Sequence, residues 1–303
     1  MNKKIKGCLA GIIAAVAYGT NPLGALFLYQ EGLNTPSVIF YRFVFAVTLL
    51  FIILKFQKVS LKLTHTELKV LSALGFIFAS SALSLYSSFN FMDSGIASTI
   101  LFAYPVMVAV IMALFFKERA SVLSIVAIAL SIFGIALLYR GEGGVSLSAI
   151  GVILVLVSSL TYAVYIVIVN RSRISLPPFK MTFYIMLFAA ITVLIYSLLS
   201  RNNHIMAISS PTAFMWLIFL AAVPTIIAMT LLNIGISFIG STPTAIMGAL
   251  EPVTAVVISI CVFDGRLTPR LSLGILLVLL SVILITAGDK LSIPQKKGSQ
   301  KKQ

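Results

Sequence analysis

Charged residues are scarce in this sequence. They make up 10% of its 303 residues, whereas an ordinary soluble domain carries about 25%. Hydrophobic residues make up 60%, and the mean hydropathy is +1.10. A chain of this composition would aggregate in water, so the scarcity of charge excludes a soluble enzyme or soluble binding module. Most of the chain must be dissolved in lipid, which identifies an integral membrane protein.

Cysteine, histidine and acidic residues are scarce as well, at 2, 2 and 8 residues. Cys8 and Cys261 lie in apolar segments, which excludes a disulfide framework, and His65 and His204 lie in predicted loops. The sequence contains no metal-ligand cluster, no Walker loop and no Ser-His-Asp arrangement. We therefore predict no cofactor, no metal and no enzymatic activity, and the energy for any transport must come from a gradient.

The basic residues, 22 in number, give a net charge of +14. They lie almost entirely in the gaps between apolar runs, as membrane topology requires, so we predict a lipid bilayer as partner and no nucleic acid. With the N-terminus in the cytoplasm, 17 of them fall on the cytoplasmic side and 4 outside, namely Arg140, Arg201, Arg266 and Arg270. Both termini are thus predicted to be cytoplasmic in a multi-pass protein of the cytoplasmic (inner) membrane.

Ten apolar runs have the length of about 20 residues that a helix needs to cross a bilayer. They lack the two-residue alternation of membrane strands, so the predicted fold is all-α with ten transmembrane helices. The first run is too long for a signal peptide, and no small-residue cleavage site ends it. The predicted spans cover about 7–28, 36–55, 69–91, 94–116, 121–139, 148–169, 179–199, 213–238, 242–263 and 270–287.

The two halves of the chain can be aligned with each other. "STILFAYPVMVAVIMALFFKER" of span 4 matches "TAIMGALEPVTAVVISICVFDGR" of span 9, which places Pro105 over Pro252 at an offset of 147 residues. Each half has five spans, an odd number, so the second copy enters the membrane from the opposite face. Inverted repeats are an architecture of secondary transporters. The predicted units are residues 1–143, residues 144–289 and a polar basic cytoplasmic tail, 290–303.

These segments resemble the drug/metabolite transporter superfamily, in its ten-helix EamA-type branch. The motifs that carry the resemblance are "AYGTNP", "FYRFVFAVTLL", "YPVMVAVIMALFFKERAS" and "EPVTAVVISICVFDGRLTP". The family usually has a glutamate before "RLTP", whereas this chain has Asp264 and Gly265 there. The resemblance implies efflux or exchange of small metabolites, amino acid-like or drug-like, often against protons. A passive pore is the alternative, and a membrane-embedded enzyme or receptor is disfavoured.

Glu251 is an acid within a predicted span. Counted from the start of span 9, it lies about 14 Å into the membrane, near the midplane, and Tyr104 is its partner in the repeat. Pro105 and Pro252 lack an N–H, so they leave the carbonyls of Leu101 and Gly248 without helical partners. Either Glu251 is a structural acid, protonated and hydrogen-bonded, or it lies on the transport path. Such a group can hold a proton in a dry site and release it in a wet one, so we predict that it couples transport to protons.

Milder polar residues at depth predict a substrate-binding cavity between the halves, with aromatic walls suited to amphipathic ligands. Each taken alone has interhelical hydrogen bonding as the alternative role. Arg42, in span 2, can snorkel to the surface, so a structural role, like that of the two prolines, is at least as well supported as substrate contact. The predicted cavity residues are Tyr18, Asn21, Tyr86, Asn90, Tyr104, Tyr162, Tyr165, Asn233 and Glu251.

Overall fold

The computed structural model describes residues 3–116, 122–139, 148–172, 174, 176–201, 203–208, 210–239, 244, 247–263 and 268–292, with side chains left out at 124, 138, 139, 170, 233, 236, 237 and 285–292. All regular secondary structure in these residues is helical. The first half contains α1 (Lys3–Gly19), α2 (Asn21–Gln30), α3 (Thr35–Phe56), α4 (His65–Ser88), α5 (Ser94–Leu101), α6 (Tyr104–Phe116) and α7 (Val122–Tyr139). The second contains α8 (Ala149–Arg171), α9 (Pro178–Leu199), α10 (Pro211–Ala221), a π-helical segment (Ala222–Ile227), α11 (Ala228–Ile239), α12 (Leu250–Val262) and α13 (Pro269–Ser292).

Seven helical stretches of the described chain are long and apolar enough to cross a membrane. Three shorter apolar helices, Ile125–Leu137, Leu250–Val262 and Pro269–Leu284, lie where the sequence predicts spans 5, 9 and 10. The prediction of an all-helical, multi-pass membrane protein is confirmed. The seven are Lys3–Gln30, Thr35–Phe56, His65–Ser88, Ser94–Phe116, Ala149–Val169, Pro178–Leu199 and Pro211–Leu232.

Several helices begin at a polar residue that satisfies free backbone N–H groups. Asn34 accepts from the Ser37 N–H at 3.0 Å, and Thr64 with Glu67 forms a capping box at the start of α4. Asp93 Oδ1 accepts from the N–H groups of Gly95 and Ile96 and so starts α5. These caps set the points at which the chain turns back into the apolar layer.

Some predicted spans are broken near their middle, where the sequence predicts continuous helices. Span 1 breaks at Thr20, between α1 and α2, and span 4 breaks between Leu101 and Tyr104. In span 9, Ala249 forms a turn and α12 starts at Leu250. Glu251 therefore lies in the first turn of a helix. The prediction that it lies nine residues inside a continuous helix is corrected. Prolines after each break explain the pattern, because proline starts a helix more easily than it continues one.

The helices pack in a pattern that links the two halves of the chain. α7 packs against α13, α3 against α9, and α5 against α12. α4 packs against α8 and α9, while α1 packs against α11 and α12. Close packing at these crossings depends on small residues, as is usual between membrane helices. A Cβ added at Gly95 would lie 2.8 Å from the Val256 Cα, so α5 and α12 are nearly in backbone contact.

Large apolar side chains cover the outside of the bundle as well as filling its core. Leu114, Phe115 and Val122 are all more than two-thirds exposed, and Ile132 and Phe133 nearly so. A soluble protein of ordinary surface composition does not expose an apolar surface of this extent. These faces are the ones that contact lipid.

Candidate functional site

The helix breaks bring candidate residues from both halves to one region. Tyr18 lies at the end of α1, Tyr104 begins α6, and Glu251 lies in the first turn of α12. Tyr162 and Tyr165 project from the middle of α8, which packs against α5 and α6. We call these five residues the central cluster.

Aromatic contacts hold three tyrosines of the central cluster together, Tyr104, Tyr162 and Tyr165. The ring of Tyr104 meets that of Tyr162 edge to face, with centroids 4.8 Å apart and planes at 84°. Tyr162 and Tyr165 stack at 5.7 Å with planes 7° apart, and Phe78 of α4 packs on Tyr165 at 5.5 Å. Both are preferred geometries for aromatic pairs. The arrangement is a rigid aromatic wall with hydroxyl groups on it.

Glu251 lies close enough to Tyr18, Tyr104 and Tyr162 to interact electrostatically with their side chains. Its carboxyl has no hydrogen-bond partner and no ion pair among the described residues. Two polar side-chain atoms of the described chain are sealed from solvent and unbonded, Ser94 Oγ and Arg270 Nε, and the Glu251 oxygens are not among them. The half-buried carboxyl therefore keeps some surface that water can reach.

Helix α1 crosses α12 directly at this glutamate. A Cβ added at Gly19 would lie 2.6 Å from the Glu251 carbonyl oxygen and 2.5 Å from Thr254 Cβ. At the break after Gly19, the backbone of α1 in the first half is thus in contact with the turn of α12 that carries Glu251 in the second half. On the opposite half, Ser159 Oγ of α8 donates to the Leu101 carbonyl at 3.1 Å. This bond satisfies one of the two carbonyls that the sequence predicts to lose their helical partners.

Arg42 is turned inward and is only 6% exposed, so it does not snorkel to the surface. Its Nε donates to Thr225 Oγ1 at 3.1 Å, and its Nη1 donates to the Tyr86 hydroxyl at 2.5 Å. The Tyr86 hydroxyl donates to Asn21 Oδ1 at 3.3 Å, and Asn21 Nδ2 donates to the Tyr18 carbonyl at 2.8 Å. We call Arg42, Thr225, Tyr86 and Asn21 the arginine network, and it runs from α3 to the edge of the central cluster.

Thr225 of the arginine network was not among the residues proposed from sequence. It lies in the π-helical segment, where its Oγ1 donates to the Leu220 carbonyl at 2.9 Å. Pro224, directly before it, is the sequence signal that was available, because a proline inside a span disturbs the hydrogen bonds around it. The widened turn gives the threonine hydroxyl both a backbone acceptor and the arginine.

One predicted residue, Asn90, is not brought into this region. Asn90 is exposed, and its Nδ2 donates to Thr35 Oγ1 and to the Ser87 carbonyl, both at 3.3 Å. It lines a separate pocket of about 430 Å³ near the ends of α2 and α4, together with Tyr29 and Asp93. Asp93 also accepts a hydrogen bond from Ser259 of α12 and was not proposed from sequence. The side chain of Asn233 lies outside the described residues.

Sequence comparison supplies the family. The model of the EamA-like transporter family matches residues 5–140 and 149–287, which is nearly the whole chain. The chain belongs to the EamA-like transporter family. The resemblance to drug/metabolite transporters predicted from its motifs is thereby confirmed, and the protein is a membrane transporter.

Relatives of this EamA-family transporter occur in bacteria and archaea. It is 28% identical to the uncharacterized transporter sll1319 of Synechocystis over 75% of this chain and 69% of that protein. It is 24% identical to an uncharacterized transporter of Archaeoglobus fulgidus over 92% and 95% of the two chains. A protein crystal structure matches with a TM-score of 0.64 at 16% identity, covering 95% of this chain and 99% of the other. That likeness shows a shared fold.

Proposed function

We propose that this protein is a secondary transporter that exports or exchanges small organic metabolites by alternating access. The observation that carries the proposal is the Glu251 carboxyl, which is half-buried, has no hydrogen-bond or ion-pair partner among the described residues and keeps some exposed surface. An ionisable residue inside the membrane is expensive to keep, and it marks a transport path more often than a structural site. The tyrosines around it come from both halves of the chain.

Two inverted five-helix units, giving ten crossings, are the architecture we propose for this transporter. The helix packing supports it. When both helices of a contacting pair are replaced by their counterparts in the other half, the new pair is also in contact. The α4–α8 contact thus exchanges with the α11–α1 contact, and α6–α8 exchanges with α12–α1. The breaks at Phe102–Ala103 and at Ala249 also correspond at the 147-residue offset. A family match in two stretches supports a boundary near residue 143.

Both termini are expected to lie in the cytoplasm. The reason is the excess of basic residues on that side, 17 against 4. Reporter fusions at the C-terminus, one active only in the cytoplasm and one active only outside it, measure this directly. A signal from outside would contradict the predicted orientation.

Cysteine substitution tests whether the central cluster faces one accessible cavity. On a background without Cys8 and Cys261, we expect Tyr104→Cys and Tyr162→Cys to react with a hydrophilic thiol reagent, since both tyrosines keep accessible surface. Tyr86→Cys serves as the comparison and is expected to react least, because Tyr86 is 1% exposed. If these sites and Tyr18→Cys all resist labelling from both sides, the cavity lies elsewhere.

Counterflow in proteoliposomes separates a transporter from a passive pore. Vesicles loaded with unlabelled solute accumulate external label only when one binding site alternates between the two faces. We expect transient accumulation for the solute that most stabilises the protein in a metabolite screen by thermal shift. Label that only equilibrates would favour the pore.

A further inference from the structure

Two predicted spans are interrupted where a proline removes one backbone donor. In an α-helix, each N–H donates to the carbonyl four residues earlier. Pro22 therefore leaves the Tyr18 carbonyl of span 1 without its α-helical donor, and Pro224 does the same to the Leu220 carbonyl of span 8. The first break lies between α1 and α2, and the second is the π-helical segment after α10. A carbonyl freed inside a membrane must find another donor.

A side chain next to each proline supplies that donor. Asn21, directly before Pro22, donates from Nδ2 to the Tyr18 carbonyl at 2.8 Å. Thr225, directly after Pro224, donates from Oγ1 to the Leu220 carbonyl at 2.9 Å. The two breaks are thus stabilised in the same way, although they lie in opposite halves of the chain.

Arg42 is hydrogen-bonded to both of these arrangements. Its Nε donates to Thr225 Oγ1, and its Nη1 donates to the Tyr86 hydroxyl, which donates in turn to Asn21 Oδ1. A guanidinium can only donate, so each of the two hydroxyls accepts from it and uses its own proton for the next bond. The Asn21 oxygen is then turned to Tyr86 and its Nδ2 to the freed carbonyl of span 1. Arg42 therefore fixes the direction of the hydrogen bonds in the arginine network.

The two broken spans are also in direct contact. A Cβ added at Gly24 of α2 would lie 2.6 Å from the Leu220 side chain, and α1 packs against the π-helical segment. Arg42 and Thr225 are buried, at 6% and 1% exposed, so water cannot readily replace a bond lost between them. A change of bend in one span is therefore felt at the other.

The related pair of spans has no such breaks. The proposed repeat pairs span 1 with span 6 and span 8 with span 3. It places Ile166 of span 6 over Pro22. It places Ile77 of span 3 over Pro224. The helices that carry these isoleucines, α8 and α4, are continuous and pack together, as α1 packs with α11. One pair of helices is thus uninterrupted, whereas both members of the other pair are broken, and Arg42 joins the broken pair.

We propose that Arg42 is a positioning residue for transport, which makes the breaks of span 1 and span 8 open and close together. When one break opens and its side chain leaves the guanidinium, the arginine loses the orientation that it needs at the other break. Bending in the first half is thereby linked to bending in the second, so that the two halves change together. This assignment rests on the proposed alternating access, and it specifies which helices bend in concert.

Hydrogen exchange measured by mass spectrometry tests the assignment on the purified full-length protein in detergent, without any transported solute. Local opening of a helix is what this exchange reports. The segments that contain the breaks are 16–25 and 218–229, and their continuous counterparts are 161–170 and 72–82. Lys55→Gln removes an exposed positive charge from the same helix as Arg42, and it is expected to match the parent in all four segments.

Thr225→Val removes a hydroxyl at span 8 alone, and Tyr86→Phe removes one on the route to span 1 alone. We expect each variant to speed exchange about fivefold or more at both breaks, since one lost hydrogen bond changes an opening equilibrium by about that factor. Exchange in the two continuous segments is expected to stay as in the parent. A role limited to satisfying the nearer carbonyl would speed exchange at the nearer break only.

Substitutions of Arg42 itself test whether the direction of the hydrogen bonds matters. Glutamine both donates and accepts, so Arg42→Gln no longer fixes the network, and we expect faster exchange at both breaks. Lysine only donates, so exchange in Arg42→Lys is expected to lie between that of Arg42→Gln and that of the parent. If Arg42→Gln does not fold, Thr225→Val and Tyr86→Phe still decide.

Four results overturn the assignment. They are unchanged exchange at the far break in Thr225→Val and Tyr86→Phe, unchanged exchange at both breaks in Arg42→Gln, Arg42→Lys no closer to the parent than Arg42→Gln, and equal acceleration in the continuous segments. The last would show general destabilisation. Counterflow by the parent would leave the transporter itself standing in each case. Absence of counterflow for every solute that binds would instead remove the proposed function, whatever the exchange shows.

Discussion

In proteoliposomes, Glu251→Gln is expected to carry its solute at a rate that no longer responds to an imposed pH difference, whereas the parent responds. An ionised carboxylate at the centre of a membrane helix costs about 2.5–3.5 kcal/mol on insertion scales. The acid is therefore expected to take up a proton when its site is dry and to release it when the site opens to water. Glutamine resembles the protonated form, so it should preserve the fold and lose the coupling.

Flux is measured with and without the pH difference, for the parent, for Glu251→Gln and for Glu31→Gln. Glu31 is exposed and accepts a hydrogen bond from Ser210, and it is not part of the central cluster, so its variant should keep the parent's response. Among the described residues, Tyr18, Tyr104 and Tyr162 are the titratable side chains that interact electrostatically with Glu251. A Glu251→Gln variant that still follows the pH difference as the parent does would make Glu251 a structural acid.

A single methyl group at Gly19 is expected to weaken both the fold and the transport activity. The Cβ of Gly19→Ala would lie 2.6 Å from the Glu251 carbonyl oxygen and 2.5 Å from Thr254 Cβ, so α1 and α12 must move apart. Overpacking of this kind costs about 1–3 kcal/mol. We expect a lower apparent Tm in detergent and a loss of counterflow, because the shift displaces the turn that carries the acid.

Gly248→Ala is the matched control for this crossing. Among the residues that the structure describes, its added Cβ would find only Phe102 Cζ within 4 Å, at 3.8 Å, which is an ordinary contact. We expect this variant to keep the parent's Tm, since it changes the same residue type close to the same glutamate without a clash. Equal stability and equal counterflow in the two alanine variants would show that α1 does not press on α12 at Gly19.

The membrane character and the position of most helices could be predicted from sequence. Runs such as Thr35–Phe56 and Pro178–Leu199 are long and apolar enough to be recognised by composition. The breaks were less predictable, because Pro22, Pro105 and Pro224 show only that a helix is disturbed nearby. Whether it kinks, restarts or widens into a π-helical turn depends on the partners that the freed backbone groups find, as Ser159 does for Leu101.

The candidate site, too, could be predicted from sequence only in part. Glu251 stands out in sequence because ionisable residues are rare in apolar spans, and Tyr104 stands out as its partner in the repeat. Arg42 stands out too, but the orientation of its side chain could not be predicted, since a long side chain can reach either the surface or the interior. Asn90, proposed for the cavity, lies instead in a separate pocket beside Asp93.

By itself, the sequence determined that this protein lies in a membrane, which family it belongs to, and that Glu251 is an ionisable residue within an apolar span. It could do so because hydrophobicity and the cost of a charge in lipid depend on residue type. Only the tertiary structure decided which of the polar residues meet. Contacts such as Arg42 with Tyr86 and Thr225, or Gly19 with Glu251, join residues far apart in the chain. Such contacts arise from helix packing across the two halves, and no periodicity within one helix contains that information.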